Sequence, residues 1–212
     1  MARHGIAVAE SGDPVSARRS LVLTLILPLA FVPGCRSDRG LAFNDPVPDF
    51  SLTERSGKTV TRDDLKGKVW VAGFIFTRCS GPCTRISGAM AALQSEFRDE
   101  KDFRLVSVTV DPDFDTPPVL EKYGKKFNAD PEHWLFLTGP KEQVLPLITK
   151  GFWVAAEKNT IPDHDPGQEV THSVLLWLVD QNGNKRAHFD GTSPADLAEL
   201  RKKIALLLRE GP

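Results

Sequence analysis

At 212 residues, 41% hydrophobic and 26% charged, the chain has ordinary globular composition and enough length for one domain with its own core. The 27 Lys and Arg nearly balance the 28 Asp and Glu, for a formal net charge of -1, so no basic field exists to attract nucleic acid and that partner class is excluded. Internal repeats, low-complexity tracts and long blocks of like charge are absent from the sequence.

Arg18 and Arg19 precede an apolar run, LVLTLILPLAFV, from Leu21 to Val32. That length suits the core of a signal peptide and falls short of the ~20 residues a membrane span needs. The run ends in VPGC, with the small Gly34 directly before Cys35. This resembles a bacterial lipoprotein signal, in which the cysteine becomes the lipidated first residue, although Val32 and Pro33 depart from the usual Leu and small residue. Ordinary secretory cleavage and an uncleaved anchor are the alternatives. All three export the domain into an oxidising compartment. The expectation is residues 1–35 as signal, 36–46 as a polar, turn-rich tether, and 47–212 as a folded domain held at the periplasmic side of a membrane by a lipid on Cys35.

Within the domain, DFSLTERSGKTVT reads as a hairpin turning at Ser56-Gly57. KVWVAGFIF, from Lys68 to Phe76, is a continuous apolar run of strand length, suited to a strand buried on both faces. RISGAMAALQSEF aligns Ile86, Met90, Leu93 and Phe97 on one helix face. FRLVSVTV, 103–110, is a second buried strand, and Thr116-Pro117 opens a helix to about Phe127. HWLFLTG is a third strand and PKEQVLPLITKGF a helix with Pro146 inside it. HSVLLWLVD, His172 to Asp180, is a fourth strand; 182–184 turn into KRAHFDG, and Ser193-Pro194 opens a last amphipathic helix to about Leu208. Strands alternating with helices, closed by a hairpin and a helix, imply a three-layer α/β/α domain with a mixed sheet and an N-terminal hairpin. In such sheets ligands bind beyond the carboxyl ends of the strands, where FTRCSGPC and DPDFD both fall.

Cys79 and Cys83 lie four residues apart, with Pro82 suited to the first turn of the following helix. Four helical residues separate Cα atoms by about 6 Å, compatible with a disulfide. The positive end of a helix favours thiolate, the nucleophile of disulfide exchange and the soft ligand of Cu(I) and zinc. A passive disulfide would gain little chain entropy from so short a loop. Two thiolates do not close a metal site. Of the five histidines, His4 is in the export segment, His133 and His188 suit capping or surface roles, and His164 sits in a polar loop. On residues alone, His172 reads as the head of a core strand.

Together FTRCSGPC (76–83), VDPDFDT (110–116) and THSVLLWLVD (171–180) resemble, in order, the motifs of the SCO/SenC family of copper-binding thioredoxin-like proteins, over about residues 47–209. The resemblance implies a thioredoxin-like fold and a role in assembling the binuclear copper centre of cytochrome c oxidase. It implies copper, as Cu(I) and Cu(II), bound by Cys79, Cys83 and His172, with an oxidase subunit as recipient and a thiol–disulfide reductant as a further partner. It marks Asp111 and Asp115 as shaping the site or a docking surface; Asp113, like both, has a simpler reading as a turn and cap residue. Many members carry Pro after each cysteine, where this chain has Ser80 and Thr84, with Pro at 82.

Three functions stay open at this point. The first is a metallochaperone, which binds and delivers and does not turn over. The second is a thiol–disulfide oxidoreductase using Cys79 and Cys83. Thioredoxin-type reductases place a cis-Pro before the strand facing the cysteines; VTHSV, 170–174, has none, and the nearest upstream proline is Pro166. The third is a thiol peroxidase, with Thr77 and Arg78 activating the thiolate.

Overall fold

The computed structural model describes residues 43–79, 81–158, 160 and 170–211, with 157–158 and 170–172 described by backbone alone. The export signal, Cys35 and the start of the tether lie outside the described residues. So does His164.

The described chain begins inside the stretch read as tether. Strand β1, Asp45–Pro46, pairs antiparallel with β10, Asn184–Asp190. The predicted hairpin is β2, Ser51–Glu54, and β3, Thr59–Thr61, turning through Gly57 at φ 86°, a left-handed conformation that favours glycine. The apolar run becomes β4, Val69–Ile75, buried at every position. Helix α1 spans Pro82–Glu96, β5 Phe103–Thr109, α2 Pro117–Lys125 and β6 Trp134–Thr138. Strand β9, Leu175–Val179, and helix α4, Pro194–Glu210, complete the frame; Ser193 caps α4 by accepting from the Asp196 amide.

The main sheet has eight strands in the order β1-β10-β9-β4-β5-β6-β2-β3. β4, β5 and β6 are parallel, and β9, β10 and β2 run antiparallel to their neighbours. Side-chain alternation shows which layer covers each face. On one face a Cβ at Gly73 would meet the Met90 sulfur of α1 at 2.8 Å, the Ser107 hydroxyl donates to the same sulfur, and Trp134 donates to Ser107 at 2.9 Å. Tyr123 of α2 meets Ser87 of α1, and Arg201 of α4 pairs with Glu96 of α1, so these three helices share that face. On the opposite face Phe152 packs against Trp70, Phe74 and Trp177. The result is a thioredoxin-like α/β/α sandwich, as expected.

Two elements differ from the sequence reading. The helix expected through Phe152 is α3 only from Lys141 to Pro146, and then a π-helical turn, Leu147–Gly151. Pro146 has no N–H to continue the α ladder, and the chain widens so that the Phe152 amide reaches the Leu147 carbonyl at 3.1 Å. The strand expected from His172 to Asp180 is split. His172 ends β8, Val170–His172, which pairs antiparallel with β7, Ala156–Lys158, in a separate two-stranded sheet, with Ala156 opposite His172. Ser173 and Val174 make the break: the Leu175 amide donates to the Ser173 hydroxyl at 3.1 Å, and the Val174 carbonyl accepts from Gly191 at 3.0 Å.

Candidate metal centre

The cysteines sit where β4 runs out. The Cys79 amide donates to the Phe76 carbonyl at 3.3 Å, which folds the loop back over the strand end. Pro82 then starts α1, its fixed φ suited to a first turn, and Cys83 is the second helical residue. Cys79 is 7% exposed and Cys83 is fully buried; no disulfide joins them. The two thiols share a hydrogen bond. That bond, and then burial, push the Cys83 thiol well above the ordinary range. The thiolate-favouring field expected at the helix mouth is therefore outweighed at Cys83 while the pair holds its protons.

Below the loop lies a polar cluster built around Asp115, itself fully buried. Its carboxylate accepts from the Thr77 amide at 3.1 Å, and from the Thr77 and Thr109 hydroxyls at 2.5 Å each. The first ties it to the cysteine loop and the last to the end of β5. Burial raises the Asp115 carboxyl, while the threonine hydrogen bonds pull it down. Asp111, 3% exposed, receives the Arg78 guanidinium at 2.6 Å, and Arg78 lies over the Phe114 ring at 4.4 Å. Asp113 is outside this cluster and pairs with Lys141 at 3.6 Å.

Tyr123 of α2 braces the first turns of α1. Its hydroxyl meets Ser87 at 2.9 Å and approaches the Cys83 carbonyl at 3.5 Å. Burial raises the tyrosine hydroxyl above its usual range.

The structure thus brings Cys79 and Cys83 together and sets Asp111 and Asp115 beside their loop. His172 is placed by backbone alone, at the end of β8, three residues before β9 begins. His133 pairs with Asp130 at 3.1 Å, and His188 packs on Trp177 and Phe43, consistent with surface roles. Thr109, Ser87 and Tyr123 had no role in the sequence reading. Thr109 carried one signal, a polar residue at the end of an otherwise apolar strand. Thr77 and Arg78 were noted as peroxidase activators; they are engaged with Asp115 and Asp111.

Comparison with known proteins agrees with this fold. A family profile, SCO1/SenC, matches residues 40–209. The crystal structure of a SCO1/SenC family lipoprotein from Bacillus anthracis is similar at 33% identity and a TM-score of 0.70, over 77% of this chain and 95% of that one. BsSco, described as a member of the Sco family of cytochrome c oxidase assembly proteins with a disulfide switch, is 28% identical with a TM-score of 0.66, over 78% and 94%. Arabidopsis thaliana ScoI, solved with copper bound, is 27% identical with a TM-score of 0.65, over 77% and 98%. The matched span takes in the cysteine loop, the aspartate turn and the strand that bears His172, and this chain belongs to the SCO1/SenC family.

Proposed function

We propose that the protein is a copper-binding factor for assembly of the binuclear copper centre of cytochrome c oxidase, holding copper as cargo on Cys79, Cys83 and His172. The observation that carries this reading is the pair of buried, hydrogen-bonded thiols at the open end of β4. Soft sulfur donors side by side fit Cu(I), and an imidazole added to them fits Cu(II) as well. Burial excludes competing water, and copper binding releases thiol protons, the one on Cys83 being held by the hydrogen bond and burial. Asp115 and Thr77 fix the loop that carries Cys79 without touching the metal. Copper-bound and oxidase-assembly relatives support the role.

In this reading residues 1–35 direct export, Cys35 carries a lipid, and the domain works on the periplasmic side of the membrane. The Bacillus anthracis lipoprotein supports the lipid anchor. An oxidase subunit receives the metal.

A thiol–disulfide oxidoreductase is the second reading, favoured by the disulfide switch of BsSco and by the spacing of the two cysteines. The deciding experiment measures copper affinity and insulin-reduction rate side by side on the full-length protein, wild type against Cys79→Ser, Cys83→Ser and His172→Ala. Delivery predicts about one copper per chain, loss of tight binding in each serine variant, and slow insulin reduction. His172→Ala is expected to lose Cu(II) and keep residual Cu(I) on the two thiolates. Weak copper binding with rapid thiol-dependent reduction would transfer the function to the oxidoreductase. Unchanged Cu(II) binding in His172→Ala would remove that residue from the ligand set.

A further inference from the structure

Lys185 is a buried lysine outside every motif of the candidate site. It lies on β10 and is 1% exposed. A buried ammonium is costly unless paired and hydrogen-bonded, so its partners show what it holds. It ion-pairs with Asp45 of β1 at 2.6 Å and donates to the Gly151 carbonyl. The Trp153 ring centroid lies 3.9 Å from the ammonium, and the rings of Trp177 and Phe152 stand at 5.7 and 6.0 Å. The lysine is therefore boxed by aromatic faces on one side and by oxygen on the other.

The groups it holds form a single corner of the chain. Gly151 ends the π-helical turn. Trp153 sits at φ 53°, a left-handed conformation that a bulky side chain adopts only under constraint. The Val154 amide then reaches back to the Ile148 carbonyl at 3.1 Å. Two residues later β7 begins, and its first residue, Ala156, pairs with His172. β7 and β8 form a sheet of their own, tied to the main sheet at the β8 end, where Val174 bonds Gly191 and β9 begins. The corner at 151–154 is the fixed point at the other end, before β7.

We infer that Lys185 is a positioning residue for His172: by clamping the Gly151 carbonyl and the Trp153 ring, it fixes the β7 end of the β7–β8 hairpin, which with the β9 attachment at the other end sets where the imidazole-bearing strand lies relative to Cys79 and Cys83. Asp45 completes the clamp from β1. The inference rests on the reading of His172 as a copper ligand, and its test separates the two. Supporting residues around metal ligands change affinity by about 10–100-fold when lost. Here that loss falls on Cu(II), which needs the imidazole, and spares Cu(I), which two thiolates hold.

The experiment compares full-length wild type, Lys185→Met, Asp45→Asn and His172→Ala. Methionine keeps the length and apolar stem of the lysine while removing its charge and donors. Folding is checked by near-ultraviolet circular dichroism, and Cu(I) and Cu(II) affinities are measured separately. Amide exchange is followed in the metal-free protein at 154–158 and 170–172, with β4 as internal reference. The expected result for Lys185→Met is faster exchange in both hairpin strands, unchanged exchange in β4, Cu(II) affinity down by about 10–100-fold and Cu(I) affinity retained. Asp45→Asn is expected to move the same quantities less, and it decides the matter if Lys185→Met does not fold. Wild-type exchange at the hairpin in a folded variant overturns the positioning role, as does an equal loss of Cu(I) and Cu(II). If Cu(II) affinity is insensitive even to His172→Ala, the ligand assignment fails, and the exchange data alone then decide whether Lys185 orients the hairpin.

Discussion

The cysteine loop and the histidine-bearing hairpin, the two halves of the proposed donor set, are held by opposite means. Cys79 and Cys83 leave the central strand of the sheet and enter a long helix directly, and their loop is pinned from below by Thr77 and Asp115. His172 lies on a three-residue strand outside the main sheet, joined to β9 across Ser173–Val174 and paired with β7, which a π turn and a left-handed tryptophan precede. The first half inherits the rigidity of the core. The second lies outside the main sheet's ladder and is anchored at its two ends. On the proposed function, a site that takes up and gives away its cargo would gain from that inequality: the thiolates would keep Cu(I) while the nitrogen side is adjusted, since local opening is drawn from the less densely anchored parts of a fold.

The comparison breaks first at Asp115. Asp115→Ala leaves the Thr77 amide and two threonine hydroxyls without an acceptor in the interior, and is expected to cost about 3 kcal/mol in denaturant unfolding. A cost well under 1 kcal/mol would mean that the cysteine loop is no better anchored than the hairpin. Next in size is Arg78→Ala. It strips the nearly buried Asp111 carboxylate of its ion pair, but the guanidinium is partly solvated, so about 1–2 kcal/mol is expected, read from the same unfolding curves. Tyr123→Phe removes the brace between α2 and the start of α1. It is expected to lower stability by about 1 kcal/mol and leave Cu(I) affinity unchanged, which titration of the folded variant checks.

On the other half, Ala156→Gly opposite His172 is expected to cost only about 0.5 kcal/mol globally while speeding amide exchange at 170–172, because the hairpin contributes little to the common core. A global loss as large as that of Asp115→Ala would erase the contrast. The smallest signal is a pH slope. The Asp115 carboxyl is raised, so the folded state binds its proton more tightly than the unfolded chain does. Its contribution to stability is fullest below the unfolded pKa and is lost as pH rises through the folded one. Relative to wild type, Asp115→Asn is therefore expected to gain stability as pH rises from about 4 and to level off above the folded pKa, measured by unfolding at several pH values. A difference that runs the opposite way would assign the carboxyl a lowered pKa.

The cysteine half was legible in the sequence because its signals are local. A seven-residue apolar strand, a proline at the first helical position and a repeating apolar face are each contained in one short window. The hairpin half was not. β7 and β8 are three residues each, too short for any alternation to register, and HSVLLWLVD reads as one unbroken strand because nothing in its composition announces the turn at Ser173. Pro146 did signal trouble in its helix, but the wide turn that follows depends on packing beneath Phe152. Lys185 was invisible for a further reason: its partners, Asp45 and Gly151, are brought to it only by β1 pairing with β10 and by the chain crossing the sheet. The carboxylates at 111 and 115 were marked by resemblance, whereas their threonine and arginine partners emerged only from the fold.

The way the sheet ends has a practical consequence for anyone trimming this chain. One border is β3, three residues between Lys58 and Arg62; the other is β1, two residues, one of them a proline with no N–H to offer. Neither presents a run of backbone long enough to template another molecule, and charge or proline guards each. Behind β1, however, lies the seven-residue β10, whose first residues are covered by Asp45 and Pro46, with the Phe43 amide bonded to the Arg186 carbonyl. Cutting at Val47, where composition alone suggests the fold begins, would bare that border and remove the acid that partners Lys185. A soluble fragment made that way is expected to self-associate, whereas one that begins several residues before Phe43 stays monodisperse.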